Sequence, residues 1–116
     1  MFNEKYRIRT FDFALNVLKT LRQISDNQES RILKHQLIRS STSIASNFRA
    51  ACVSRSEKEW FSKISIVIEE TDETQFWLEL FVGLYSEYRP GLGLLILESS
   101  ELLKIFSKAR GKLSSK

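Results

Sequence analysis

The longest unbroken pattern in this sequence is helical and runs from Ser56 to Tyr88. Apolar side chains recur in it at intervals of three and four residues, the spacing of one face of an α-helix. Ser56 followed by Glu59 is typical of a capping box that starts a helix. The segment around Pro90 ends the pattern, because proline disfavours helical geometry in the residue before it. A helix of this length indicates an all-α fold.

Three further segments carry the same spacing, and the predicted helices cover residues 10–25, 32–53, 56–88 and 92–112. Thr10 is expected to cap the first helix, with Phe11 and Leu15 among its inward-facing side chains. Short connections force consecutive helices to pack antiparallel. One proline and four glycines offer few turns for a sandwich or barrel. The prediction is one domain over residues 1–116, an antiparallel up-down-up-down four-helix bundle that self-associates.

Self-association is predicted because the third helix carries two apolar faces. One face supplies the bundle core, and a second apolar group lies on roughly the opposite side. Since a four-helix bundle has no interior for both faces of one helix, the second should meet another chain. The predicted oligomer interface comprises Ile66, Trp77, Leu80, Leu84 and Tyr88. The alternative is that Trp77 and Leu80 contact a neighbouring helix obliquely and stay half exposed.

The second helix is rich in hydroxyl residues, since five of the seven residues from Ser40 to Ser46 are Ser or Thr. Ser40, Ser43 and Asn47 belong to a small or polar stripe, which allows a neighbouring helix to approach closely and to form hydrogen bonds across the contact. A serine nucleophile would need a base beside it. The single histidine, His35, lies on a different part of the helix surface. The sequence therefore predicts that the protein is not an enzyme.

Cofactor and compartment predictions follow from what the sequence lacks. The lone cysteine, Cys52, excludes an internal disulfide, and no Cys/His set is present to bind zinc. No glycine-rich phosphate loop is present either. The chain has no signal-peptide pattern and no apolar run that could span a membrane. A cytoplasmic protein without cofactor or metal is expected.

Charge is distributed unevenly along the chain. Residues 1–25 and 98–116 each carry a net charge of +3, whereas residues 54–85 carry −4. The two basic segments either form a phosphate-binding face or neutralise the acidic helix. The candidate nucleic-acid contacts are Arg49, Arg55, Lys58, Lys104, Lys108, Arg110 and Lys112.

The segment from Gln36 to Leu80 resembles the bacterial four-helix-bundle family of 23S ribosomal-RNA intervening-sequence proteins. The resemblance lies in the pairs Arg39-Ser40, Ser43-Ile44 and Ser46-Asn47, in the run SEKEWF from Ser56 to Phe61, and in Glu69 with Glu73. Ala45 stands where a proline is frequent in the family. The resemblance implies a cytoplasmic homo-oligomer, typically a pentamer. A related branch, the accessory protein of diversity-generating retroelements, binds a reverse transcriptase and nucleic acid through a basic surface.

The sequence therefore leaves two alternative hypotheses for the function. The first is a non-enzymatic oligomeric scaffold that binds RNA, or an RNA-handling partner, through basic surfaces. The second is a protein-protein interaction module with no direct nucleic-acid contact, for which Trp60 and Phe61 would be anchors if they point outward.

Overall fold

The computed structural model describes residues 1–114, and the side chains of residues 1–112. Its helices are α1 (Phe2–Leu21), α2 (Gln28–Ala51), α3 (Glu57–Leu84) and α4 (Arg89–Ser114), with a short 3₁₀ turn at Ser86–Tyr88. They run alternately up and down in a bundle of 47 × 21 × 19 Å, and residues 1–114 contain no strand. The predicted all-α four-helix bundle is confirmed.

The core is built around four phenylalanines, one from each helix. Phe13, Phe48, Phe81 and Phe106 are each at most 2% exposed, and the rings of Phe48 and Phe106 lie 5.1 Å apart. Burial of one such side chain contributes about 1.5–3 kcal/mol to the free energy of unfolding. α3 packs extensively on both α2 and α4, whereas α1 packs mainly on α2 and touches α4 least.

The first helix begins eight residues earlier than the sequence predicts, at Phe2. Thr10 is consequently not an N-cap. Its side chain is fully buried within α1, and its hydroxyl donates to the carbonyl oxygen of Tyr6 at 2.8 Å. The charged and aromatic residues of the N-terminal segment are helical because Tyr6 packs against the core.

The inward face of α1 also differs from the prediction. Phe11 is 62% exposed and Leu15 is 38% exposed, whereas Phe13 and Val17 are buried. The segment carries two apolar stripes, and the one that continues back to Tyr6 faces the core. The predicted burial of Phe11 and Leu15 is therefore wrong, and α1 presents an apolar surface outward.

The other helix ends lie within a few residues of their predicted positions. Ser56 caps α3, since its hydroxyl accepts from the Glu59 amide at 3.1 Å, which confirms one half of the predicted capping box. α3 ends at Leu84, and the segment to Tyr88 forms the 3₁₀ turn. Pro90 lies in the first turn of α4, where an amide hydrogen has no partner within the helix.

Candidate nucleic-acid interface

Three basic segments meet at one end of the bundle. α1 and α3 begin at the end where α2 and α4 terminate, and aromatic rings join them there. The ring of Phe2 lies 6.1 Å from that of Phe48 and 6.4 Å from that of Trp60. Tyr6 lies 5.9 Å from Phe106 on α4. The antiparallel topology thus brings the N-terminal and C-terminal basic segments together.

We call this region the basic end and define it by residues 1–12, 45–63 and 101–112. It contains eleven Lys and Arg residues against five Asp and Glu, a net charge of +6 in a chain whose total is +4. All seven predicted nucleic-acid contacts lie within it. The described structure therefore places the candidate residues in one region, although sequence reasoning left their spatial relation open.

Most of these candidate side chains are exposed. Arg49, Lys58, Lys104 and Lys108 are all exposed. The Arg55 side chain is 90% exposed, with its Nε 3.7 Å from Glu59 Oε2. Exposed pairs of this kind contribute little to stability and leave the cation accessible to other anions.

The basic residues of α4 fall into two groups. Lys104, Lys108 and Lys112 follow one another at intervals of four and so share a face of the helix. Arg110 instead contacts α3, where its guanidinium lies 6.0 Å from the centre of the Phe61 ring and donates to Ser65 Oγ at 3.4 Å. Arg110 therefore holds the end of α4 against α3.

The two aromatic residues that were expected to anchor a partner, Trp60 and Phe61, are only half exposed. Trp60 packs against the core beside Phe2, and Phe61 is covered in part by Arg110. Neither ring is free to stack fully on a base or to fill a partner's pocket.

Sequence reasoning missed four further basic residues at this end. Lys5, Arg7 and Arg9 belong to the first two turns of α1, and Lys63 belongs to the second turn of α3. The three N-terminal residues were missed because the first helix was predicted to start at Thr10. The alternation of basic and aromatic residues before Thr10 was the available signal.

The predicted oligomer interface lies on and just beyond α3, with unequal exposure. Leu80 and Leu84 are 37% and 50% exposed. Ile66, Trp77 and Tyr88 are half-buried, and Trp77 and Tyr88 pack against the core of the same chain.

The indole of Trp77 has a polar partner within the same chain. Its Nε1 donates to Glu73 Oε2 at 2.9 Å, and the Glu73 carboxylate also pairs with Arg39 of α2. The Trp77 hydrogen bond, followed by that of Arg39, lowers the pKa of Glu73. Glu73 thereby links Trp77 of α3 to Arg39 of α2.

Other chemistry has little support among the described side chains. Residues 1–112 contain no group of three or more His, Cys, Asp and Glu residues placed to hold a metal ion. Cys52 is half-buried, and burial raises the pKa of its thiol above the ordinary value, which makes it less reactive. Within residues 1–114, no helix has the length and apolar character that a membrane crossing requires.

Comparison with known proteins supports the fold and the resemblance. A crystal structure of a protein of unknown function from the S23 ribosomal protein family of Bacteroides thetaiotaomicron has a TM-score of 0.85 to this chain, over 96% of this chain and 99% of that one. At 24% identity this likeness shows a shared fold. No curated protein matches the sequence. The model of the 23S rRNA-intervening sequence protein family matches residues 5–89, which include all of α2 and α3. The chain belongs to the family of 23S rRNA-intervening sequence proteins.

Proposed function

We propose that this protein is a non-enzymatic, self-associating scaffold that binds structured RNA through its basic end. The observation that carries the proposal is the convergence of three chain segments into one region of net charge +6. The family name, which refers to an intervening sequence in 23S rRNA, supports RNA as the ligand.

The expected mode of binding is contact with phosphates. Lys104 and Lys108 are exposed, and their spacing of four residues corresponds to about 6 Å along the helix. Such flexible cations suit contact with a phosphate backbone, whereas recognition of a base sequence requires groups that reach the base edges. Double-stranded RNA is recognised largely through its shape, its phosphates and its 2′-hydroxyls. The protein is therefore expected to bind RNA hairpins with little preference for sequence.

Fluorescence anisotropy with a labelled RNA hairpin tests the proposal. Binding should weaken steeply as salt rises, because phosphate contacts release bound counterions. The double variant Lys104→Gln/Lys108→Gln should bind more weakly, and the slope of log K against log salt should fall by about 1 for each contact removed. The matched control, Lys19→Gln/Arg22→Gln, removes two exposed cations near the opposite end of the bundle and should bind like the unmodified protein.

Two outcomes would contradict this function. Absence of binding at low salt removes RNA as a ligand and favours the protein-interaction module, which predicts capture of a defined protein that survives nuclease treatment. Equal losses in the two double variants would show that net charge alone, and not the basic end, determines binding.

We also propose that subunits associate through the exposed side of α3. Leu80 and Leu84 are the members of the predicted interface that the subunit leaves most open to solvent. Association would place several basic ends in one assembly, and linked sites raise the apparent affinity for a long RNA without any new contact. Multi-angle light scattering of the unmodified protein measures the subunit number, for which the family resemblance implies five.

A further inference from the structure

An apolar groove of about 510 Å³ lies between α1 and α2 on the outside of the bundle. Its wall on α1 includes the exposed side chains of Ile8, Phe11 and Leu15. The α2 side is formed by small residues such as Ala45 and Ser46, which leave room for another helix to approach closely. We call this surface the α1–α2 groove.

Basic side chains flank one end of the α1–α2 groove. Arg7 and Arg49 both line it and are exposed, and neither forms an ion pair with a carboxylate among residues 1–112. The groove therefore suits an apolar helix that carries acidic side chains.

The same chain presents such a helix on α3. Phe76, Leu80 and Leu84 are exposed at intervals of four residues, so they form one outward strip. Asp72 and Glu79 are exposed near that strip. We call Phe76, Leu80 and Leu84 the α3 strip.

The two surfaces match in charge and in spacing. The charged residues that line the groove are Arg7 and Arg49, and those near the strip are Asp72 and Glu79. On α1, Arg7 is followed by Phe11 and Leu15 at four and eight residues. On α3, Asp72 is followed by Phe76 and Leu80 at the same intervals.

We propose that the α1–α2 groove of one copy receives the α3 strip of a second copy. The inference rests on the self-association proposed above and adds the partner surface. In the matched register, Arg7 faces Asp72 of the second copy, Phe11 faces Phe76 and Leu15 faces Leu80. Because the charged residue precedes the apolar residues on both helices, α1 and α3 of the two copies point in the same direction.

The contact joins two different surfaces, so the copy that supplies its groove keeps an unused strip, and the copy that supplies its strip keeps an unused groove. A heterologous contact either closes into a ring or continues as a filament. Since the paired helices are parallel, the long axes of the copies point the same way, and the basic ends gather on one side of the assembly. This arrangement would offer RNA a continuous basic rim.

Complementation between two variants tests the pairing. Phe11→Glu places a negative charge in the groove, opposite an acidic strip, and Leu80→Lys places a positive charge on the strip, opposite a basic groove. Each variant alone should have the mass of one subunit, 13.5 kDa. A 1:1 mixture retains one intact groove and one intact strip, and it should give a dimer of twice that mass in light scattering.

A charge exchange provides a second test that does not alter the apolar surface. Arg7→Asp and Asp72→Arg should each reduce the mean mass of the unmodified assembly, and the two changes in one chain should restore it. Leu97→Lys is the matched control, because Leu97 is 68% exposed on α4 and outside both surfaces, and it should keep the unmodified mass. Circular dichroism establishes that each variant remains helical.

The proposal is overturned if the unmodified protein is a single subunit at micromolar concentration, if either single variant keeps the unmodified mass, or if the mixture forms no dimer. Isologous packing of grooves on grooves would appear as loss of assembly in Phe11→Glu alone. The double variant Lys104→Gln/Lys108→Gln separates the RNA proposal from the pairing proposal, because it should lose RNA affinity and keep the mass of the unmodified assembly.

Discussion

The Thr74 hydroxyl on α3 and the Ser40 hydroxyl on α2 form a hydrogen bond with their oxygens 2.8 Å apart, and both residues are fully buried. The threonine hydroxyl also lies 2.7 Å from the carbonyl oxygen of Glu70. The serine is therefore a small residue at the α2–α3 contact whose polar group has a partner on the facing helix. Asn47 behaves differently, since its amide donates within α2 to the carbonyl and hydroxyl oxygens of Ser43, both at 2.9 Å.

The Ser40 position should tolerate loss of its hydroxyl better than gain of volume. We expect Ser40→Ala to lower the free energy of unfolding by about 1 kcal/mol, the net contribution of one hydrogen bond. Ser40→Leu should cost about 1–3 kcal/mol or more, because added methylenes force a packed contact apart. Urea unfolding followed by circular dichroism measures both.

Ser62→Leu is the matched control for this prediction, because Ser62 is an exposed serine on α3. It should change the free energy of unfolding by no more than about 0.5 kcal/mol. If Ser40→Leu and Ser62→Leu were equally stable, close packing at Ser40 would not constrain the α2–α3 contact.

The sequence predicts the four helices correctly, but it does not predict equally well which side of each helix faces the core. On α4, Leu95, Leu102 and Phe106 lie on the core face and are buried, although Leu94 and Leu97 on the same helix are exposed. On α1, the stripes through Phe11 and through Phe13 are both apolar, and local spacing cannot choose between them. The choice depends on which stripe meets the other three helices, and that is tertiary information.

The basic end could be predicted only in part for a similar reason. The charge distribution identified the basic segments, and the short connections predicted antiparallel helices. The meeting of Tyr6 with Phe106 depends on how far α1 extends, since it is the first two turns of α1 that reach the end of α4. Those turns lack a strong start signal, as Met1 provides no side-chain cap.

The start of α2 depends on a cap that sequence reading missed. Asn27 accepts from the Ser30 amide at 2.9 Å, and the Ser30 hydroxyl accepts from the Asn27 amide at 2.8 Å. We expect Asn27→Ala to lower the free energy of unfolding by about 1 kcal/mol. Asn16→Ala, at an exposed position inside α1, should be neutral or slightly stabilising, because alanine is the better helix former. Equal losses in urea unfolding would show that the cap contributes nothing.

Stability at acid pH should depend on Glu73. Its pKa is lowered by the Trp77 indole and by Arg39, so the unfolded state binds the proton more tightly than the folded state does. The stabilisation is complete above the ordinary pKa of a glutamate, about 4.3, and is lost as pH falls through the lower folded value. Glu73→Gln should therefore be less stable than the unmodified protein at pH 7, and the difference should shrink towards pH 3.

Thermal melts from pH 7 to pH 3 measure this pH dependence. Glu69→Gln, which changes an exposed carboxylate on the same helix, serves as the control for loss of a helix charge. If the Glu73→Gln melting temperature stayed a constant interval below that of the unmodified protein across this range, the carboxylate would stabilise the fold through packing alone.

The contact between α1 and α4 should depend on one ion pair. Arg9 Nε lies 2.7 Å from Glu98 Oε2, and Arg9 Nη2 lies 2.8 Å from Oε1, a bidentate pair about one-third exposed. Lysine cannot reproduce this geometry, so Arg9→Lys should lower the free energy of unfolding by about 0.5–1 kcal/mol in dilute buffer. The loss should shrink near 1 M salt, where exposed charges are screened. Arg22→Lys, exposed at the end of α1, is the control. An Arg9→Lys effect that equals the control, or that does not respond to salt, would show that the α1–α4 contact is held by Tyr6 and Phe106 instead.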